Sequence, residues 1–245
     1  MYATLIPLAA LWGAAAGLLV PRAAYRFAVP AGDPWRNSCP AGHVLAGPAR
    51  GWLGGPGRAA CATTRVPLAA PLVTALVCAA LAAATGGPRP ELAVWLLAAP
   101  FAVLLASVDA RVHRLPDQLT LPLAAGVPLL LGVAELLPYD SGSWTHALLG
   151  GLGLGGAYLV LHLLNPRGLG FGDVKLSVPL GAALGWYGWG VLFAGAFLGF
   201  LLGAVYGAGL VLLRRAGRSS AIPFGPFMLV GGLLGLLLGA FTAVP

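Results

Sequence analysis

Apolar residues gather into eight long runs, at about 3–20, 66–85, 92–108, 118–138, 145–164, 174–189, 190–213 and 222–243, with polar residues confined to the stretches between them. Runs of this kind predict helices that cross a bilayer, because about 20 apolar residues span its hydrocarbon core and a helix satisfies its own backbone there. The weakest division lies between the sixth and seventh runs. Trp186, Tyr187 and Trp189 give an aromatic interface signal but no charged loop. The sixth run is also short, since about 16 residues at 1.5 Å each reach roughly 24 Å.

Composition turns this pattern into a class. Of 245 residues, 59% are hydrophobic and 9% charged, against roughly a quarter charged in soluble domains. The expectation is an all-α polytopic membrane protein with about eight transmembrane helices. The 37 glycines suit helices packed closely in lipid. A net charge of +7 raises the question of nucleic acid, but the basic residues are scattered singly rather than clustered with stacking aromatics. They fit topology better. With the amino and carboxyl termini outside, the inner connections carry every basic residue except Arg89, as the positive-inside rule asks. This places the chain in the cytoplasmic (inner) membrane as a multi-pass protein. No basic residue precedes the first run, so it reads as a retained helix rather than a cleaved signal. The chain then divides into a first helix (1–20), a cytoplasmic loop domain rich in Arg, Pro and Gly (21–65), and a membrane domain (66–245).

Three of the seven acidic residues fall in two short stretches at the ends of apolar runs. A carboxylate beside hydrocarbon costs roughly 2.5 to 3.5 kcal/mol at a helix centre, so one at a helix mouth caps, pairs or does chemistry. Asp109 ends the third run and Asp173 begins the sixth, which puts both at the cytoplasmic boundary despite their separation in sequence. Shared acid and base work is one reading. An ordinary cap or a salt bridge to Arg111, Arg114 or Lys175 is the other. Gly168, Gly170 and Gly172 leave the approach to Asp173 bare, which allows close approach and backbone conformations closed to other residues. Asp117, after Pro116, reads as the N-cap of the fourth helix. Lys175 is expected to snorkel to the interface, and His113 to sit in a solvated basic turn. Glu135 and Asp140 fall toward the opposite face. Gly151, Gly153 and Gly156 spell a dinucleotide-binding fingerprint, but inside an apolar helix with no preceding strand they read as packing positions.

Two motifs carry a family resemblance. VDARVHRLPDQLTLPL, residues 108–123, is similar to the first aspartate motif of the prepilin peptidases, and GFGD, Gly170 to Asp173, to their GxGD signature. IPFGPFML, residues 222–229, resembles the start of that family's last helix. The resemblance implies an intramembrane aspartic endopeptidase that removes the basic leader from type IV prepilin or pseudopilin precursors at the cytoplasmic face. Asp109 and Asp173 occupy the positions of the catalytic pair, with Gly170 and Gly172 shaping the site. It implies membrane lipids as surroundings, no nucleic acid partner and no cofactor for proteolysis. On position alone, Asp173 near a helix N-terminus should favour the anion, and Asp109 near a helix C-terminus should hold the shared proton longer.

Many prepilin peptidases also methylate the new amino terminus with S-adenosylmethionine, and carry two CxxC pairs in the first cytoplasmic loop. Here Gly42 and Arg58 replace one cysteine of each pair, leaving Cys39 and Cys61. S-adenosylmethionine is therefore implied only if that activity is retained. Cys39, His43, Cys61 and Asp33 could supply zinc donors, but zinc is not expected. A Cys39–Cys61 disulfide is disfavoured by a reducing cytoplasm. Two other readings compete: a GxGD protease of broader membrane substrates, and a transporter relaying protons, whose acids should lie nearer mid-membrane.

Overall fold

The computed structural model describes residues 2–30, 32–52, 68–166, 168–213 and 222–243. Its elements are α1 (Tyr2–Gly17), α2 (Val20–Phe27), the single turn α3 (Pro48–Gly51), α4 (Ala69–Thr85), α5 (Pro90–Val112), α6 (Asp117–Glu135), α7 (Trp144–Leu164), α8 (Phe171–Gly185), α9 (Trp189–Leu212) and α10 (Gly225–Thr242). No strand forms among the described residues, only an isolated bridge between Ser38 and Val44. The expected all-α membrane architecture is what the structure has.

Each of the eight apolar runs is helical, but they are not equivalent. Among the described residues six helical stretches are long and apolar enough to cross a membrane: Thr4–Phe27, Pro90–Val112, Asp117–Glu135, Trp144–Leu164, Trp189–Leu212 and Gly225–Thr242. Ala69–Thr85 is apolar and shorter. Helix α8 has 15 residues, about 22 Å at 1.5 Å per residue. Its brevity is tolerable because protein surrounds it: α6, α7, α9 and α10 all pack on it, and ten of its residues are buried. The first helix breaks near Leu18 and resumes as α2, carrying helical structure to Phe27, beyond the boundary that hydropathy marks. Charge and helix coexist there because the Arg22 and Arg26 guanidiniums reach the loop, where Ala46 O, Arg50 O and Asn37 accept from them.

Glycines set how closely the helices pack. A Cβ on Gly150 would stand 2.5 Å from Gly181 O, and one on Gly185 2.6 Å from His146 O, so α7 and α8 meet backbone to backbone. Gly13 and Gly17 do the same for α1 against α4, and Gly231 and Gly235 for α10 against α9. Of the three glycines in the fingerprint, Gly151 faces α8 while Gly153 and Gly156 face open space. The packing assignment therefore holds at one of them and belongs otherwise to Gly150 and Gly155.

Three local expectations are corrected. Pro116, not Asp117, is the N-cap of α6; Asp117 is the first helical residue, and its carboxylate pairs with Lys175 at 2.7 Å. Lys175 consequently does not snorkel alone, and its ammonium also lies 4.9 Å from the Phe171 ring centre. Cys39 is disulfide-bonded rather than reduced. Cys61 and Arg58 lie outside the described residues, as do Arg65, Arg167, Arg214, Arg215 and Arg218. His113 is exposed, as expected, and ends α5 at φ 51° with its N–H donating to Asp109 O.

Candidate active site

The last turn of α5 and the first turn of α8 bring Asp109 and Asp173 to the same end of the bundle. Both are buried, at 4% and 8% exposure, and the charge of Asp109 acts on Asp173. Each carboxylate is held by one glycine. Gly225 N–H donates to Asp109 Oδ2 at 2.9 Å, and Gly170 N–H to Asp173 Oδ2 at 3.1 Å. Neither Oδ1 has a hydrogen-bond partner among the described residues. The salt-bridge alternative is not realised there: Arg111, Arg114 and Lys175 pair with neither carboxylate, and Lys175 is turned to Asp117. Arg114 instead donates to Pro30 O at 2.9 Å and lies over Trp35, tying the amino-terminal loop to the α5–α6 connection.

The glycines of the GFGD stretch work by closeness rather than by unusual backbone. Gly170 has φ −70°, open to any residue, and Gly168 and Gly172 are not among the positive-φ residues. The expected need for special conformations is thus corrected. A Cβ on Gly170 would meet Asp173 Oδ2 at 3.3 Å, and one on Gly172 would meet Leu115 Cβ at 3.0 Å. Bare backbone lets α8 begin directly beneath the α5–α6 connection, which delivers Asp173 to Asp109.

The residue that sequence reasoning misses is Gly225. Its N–H opens α10 and meets Asp109, and a Cβ there would stand 2.8 Å from Asp109 Oδ2. The Phe-Gly-Pro sequence at the start of an apolar run was the available signal. Gly225 also changes the electrostatic argument. Asp109 lies near the C-terminus of its own helix but touches the N-terminus of α10, so helix dipoles no longer separate it from Asp173.

Two buried carboxylates at one end of the bundle, close enough for the charge of one to act on the other and each oriented through one oxygen with the other open, are the kind of pair that can share a proton. Among the described residues no group of three or more His, Cys, Asp or Glu side chains could hold a metal ion.

The profile of the type IV leader peptidase family matches residues 96–212. A prepilin leader peptidase/N-methyltransferase of Dickeya chrysanthemi is 32% identical over 232 residues, which cover 88% of this chain and 81% of that protein. The chain belongs to the type IV leader peptidase family. Proteins with the same name from Aeromonas salmonicida (strain A449) and Pectobacterium carotovorum subsp. carotovorum are 37% and 31% identical, over 71% and 78% of this chain. The chain spans 57% of the length of the Aeromonas relative. No solved structure matches it. Within this type IV leader peptidase family member the profile match includes Asp109 and Asp173 and ends before Gly225.

Proposed function

We propose that this chain is an aspartic endopeptidase that cleaves the leader from type IV prepilin-like precursors at the cytoplasmic face of the inner membrane, with Asp109 and Asp173 as the catalytic pair. The observation that carries the reading is the pair itself: two buried acids from helices remote in sequence, each pinned by one glycine N–H and open at the other oxygen. One carboxylate, ionised, takes a proton from water as the water attacks the scissile carbonyl. Its protonated partner donates to the developing oxyanion and then aids the leaving amine. The pair titrates as one unit. In this reading about eight helices cross the membrane with both termini outside, 21–65 form a cytoplasmic loop domain, and 66–245 form the peptidase domain.

A cavity of about 590 Å³ supports the substrate class. It runs along α5 from Arg111 and Ala110 to Trp95, and Leu176 of α8 and Pro226 of α10 also line it. Those two residues lie next to Asp173 and Gly225 along their helices, so an apolar segment lodged in the cavity would present its cytoplasmic end to the pair.

The second activity named for the relatives, N-methylation, finds less support. S-adenosylmethionine carries a cationic sulfonium and ribose hydroxyls, which call for acidic and acceptor side chains. Residues 32–52 offer one carboxylate, the exposed Asp33, among Arg36 and Arg50 with Arg22 and Arg26 beside them. Residues 32–52 do not fit that cofactor.

Co-expression with a type IV pilin precursor, followed by mass measurement of the mature amino terminus, tests the reading. Cleavage by the intact chain and none by Asp109→Asn or Asp173→Asn is expected; cleavage at the normal rate by either variant refutes it. The same mass reports any added methyl group.

A further inference from the structure

The antiparallel contact of α7 with α8 has a fixed register. Gly150 meets Gly181, Gly155 abuts Val178 one turn on, and at the cytoplasmic end His162 stacks on Phe171 at 5.5 Å. Between the last two contacts the register sets Tyr158 against the turn of α8 that holds Asp173. Tyr158 is 2% exposed and packs in the cluster that contains Leu169 and Val174. Its ring is fixed by Phe200 at 5.4 Å and Phe224 at 6.3 Å, which lie 5.1 Å from each other. Phe224 directly precedes Gly225, the donor to Asp109. One aromatic cage therefore backs the supports of both carboxylates.

The hydroxyl is the unexplained part. The Tyr158 ring is buried, but its Oη has no hydrogen-bond partner among the described residues and is not sealed off as the buried unpartnered atoms are. It is left free to donate, and it lies within reach of the charge of Asp173. If packing were the whole role, phenylalanine would serve as well.

We propose that Tyr158 is a positioning residue whose hydroxyl donates a hydrogen bond to the open oxygen of Asp173 during turnover, holding that carboxylate in the orientation the pair requires. This rests on the reading of Asp109 and Asp173 as the catalytic pair. The caged ring supplies direction. The hydroxyl, unpaired at rest, supplies a donor that needs only a local shift to reach that oxygen as charge moves within the pair.

Tyr158→Phe removes the donor and keeps the cage. Purified in detergent and assayed on a pilin precursor, it should show kcat lowered about 10- to 100-fold, the size expected for one hydrogen bond to a charged group, with KM within about threefold. Its thermal unfolding midpoint should match that of the parent protein. 4-Fluorophenylalanine at position 158, which also lacks a donor, should give the same loss and serves if the phenylalanine variant folds poorly. A kcat within twofold of the parent in either variant, or a raised KM with kcat unchanged, overturns the proposal. Asp109→Asn and Asp173→Asn, assayed alongside, separate the two levels. If they are inactive while Tyr158→Phe is normal, only the role of Tyr158 falls; if either aspartate variant cleaves normally, both readings fall.

Discussion

Helix α5 carries a buried acid at each end, Glu91 in its first turn and Asp109 in its last, about 27 Å apart at 1.5 Å per residue. Glu91 is the more deeply buried, at 0% exposure, yet it is surrounded by side chains that hold the bundle closed. Ser141, on the α6–α7 connection, donates to Glu91 Oε1. Arg89 sits beside it and donates to Ala243 O near the end of α10. Nearby, Trp95 donates to Tyr187 of the α8–α9 connection at 3.1 Å. Asp109 meets a backbone N–H and a second acid. Burial alone therefore does not mark a catalytic carboxylate. Nor does an unpartnered oxygen, since Glu91 Oε2 has no partner either. Glu91 is tied by a side-chain donor from a connection and fastens it, whereas Asp109 is held only by a backbone N–H within the field of a second buried acid and is equipped to move a proton.

Removing the charge at both ends tests that division most strongly. Asp109→Asn and Asp173→Asn should each lower cleavage at least 10³-fold, because general acid and base work is lost together, and leave the unfolding midpoint nearly unchanged. Glu91→Ala should do the reverse. Loss of the carboxylate strands the Ser141 hydroxyl, empties a fully buried position and removes the charge that acts on Arg89, and should cost about 2–4 kcal/mol of stability. Its kcat should stay within about threefold of the parent. A Glu91 variant that folds normally and cannot cleave would dissolve the comparison.

Gly225→Ala sharpens it at the Asp109 end. The added methyl would press on the oxygen that Gly225 N–H holds, 2.8 Å away, and should turn the carboxylate off its donor. A 10- to 100-fold fall in kcat is expected, with a stability change below about 1 kcal/mol, since one group shifts and no large cavity opens. Kinetics and thermal unfolding of the same preparation check both halves.

The two ends also differ in how readable they were. Asp109 and Asp173 stood out because a charge at the edge of an apolar run is costly, and the motifs around them are distinctive. The all-α membrane character followed from the same logic, while among the described residues six helical stretches are long and apolar enough to cross a membrane. Nothing in the sequence singles out Glu91, and Arg89 stands there only as the one outer basic residue, because their importance lies in contacts with Ser141 and Ala243, remote in sequence. Gly225 was hidden for a related reason. A glycine's contribution here is a backbone N–H pointed across the bundle at residue 109, and hydropathy carries no trace of it. The length of α8 was legible, but not the ring of helices that makes so short a segment workable. Reading Lys175 as a lone interfacial charge failed because its partner, Asp117, looked fully employed as a cap.

That ion pair supplies the smallest predicted effect and a third case for the comparison. Asp117 is an acid at a helix mouth, across the α5–α6 connection from Asp109, and its partner Lys175 lies on the same helix as Asp173. It differs from both buried acids in being exposed, at 54% for its side chain against 20% for Lys175. Water and salt screen such a pair, so it should be worth about 0.2–1 kcal/mol. A double-mutant cycle with Lys175→Met and Asp117→Asn should return a coupling in that range that shrinks between low salt and 0.5 M salt. Cleavage should change less than threefold in either single variant, because the ammonium is turned toward α6 and takes no proton from the pair. Loss of activity in Lys175→Met as deep as in the aspartate variants would mean that a cation governs Asp173 after all, and that exposure and pairing are the wrong criteria for sorting the acids of this bundle.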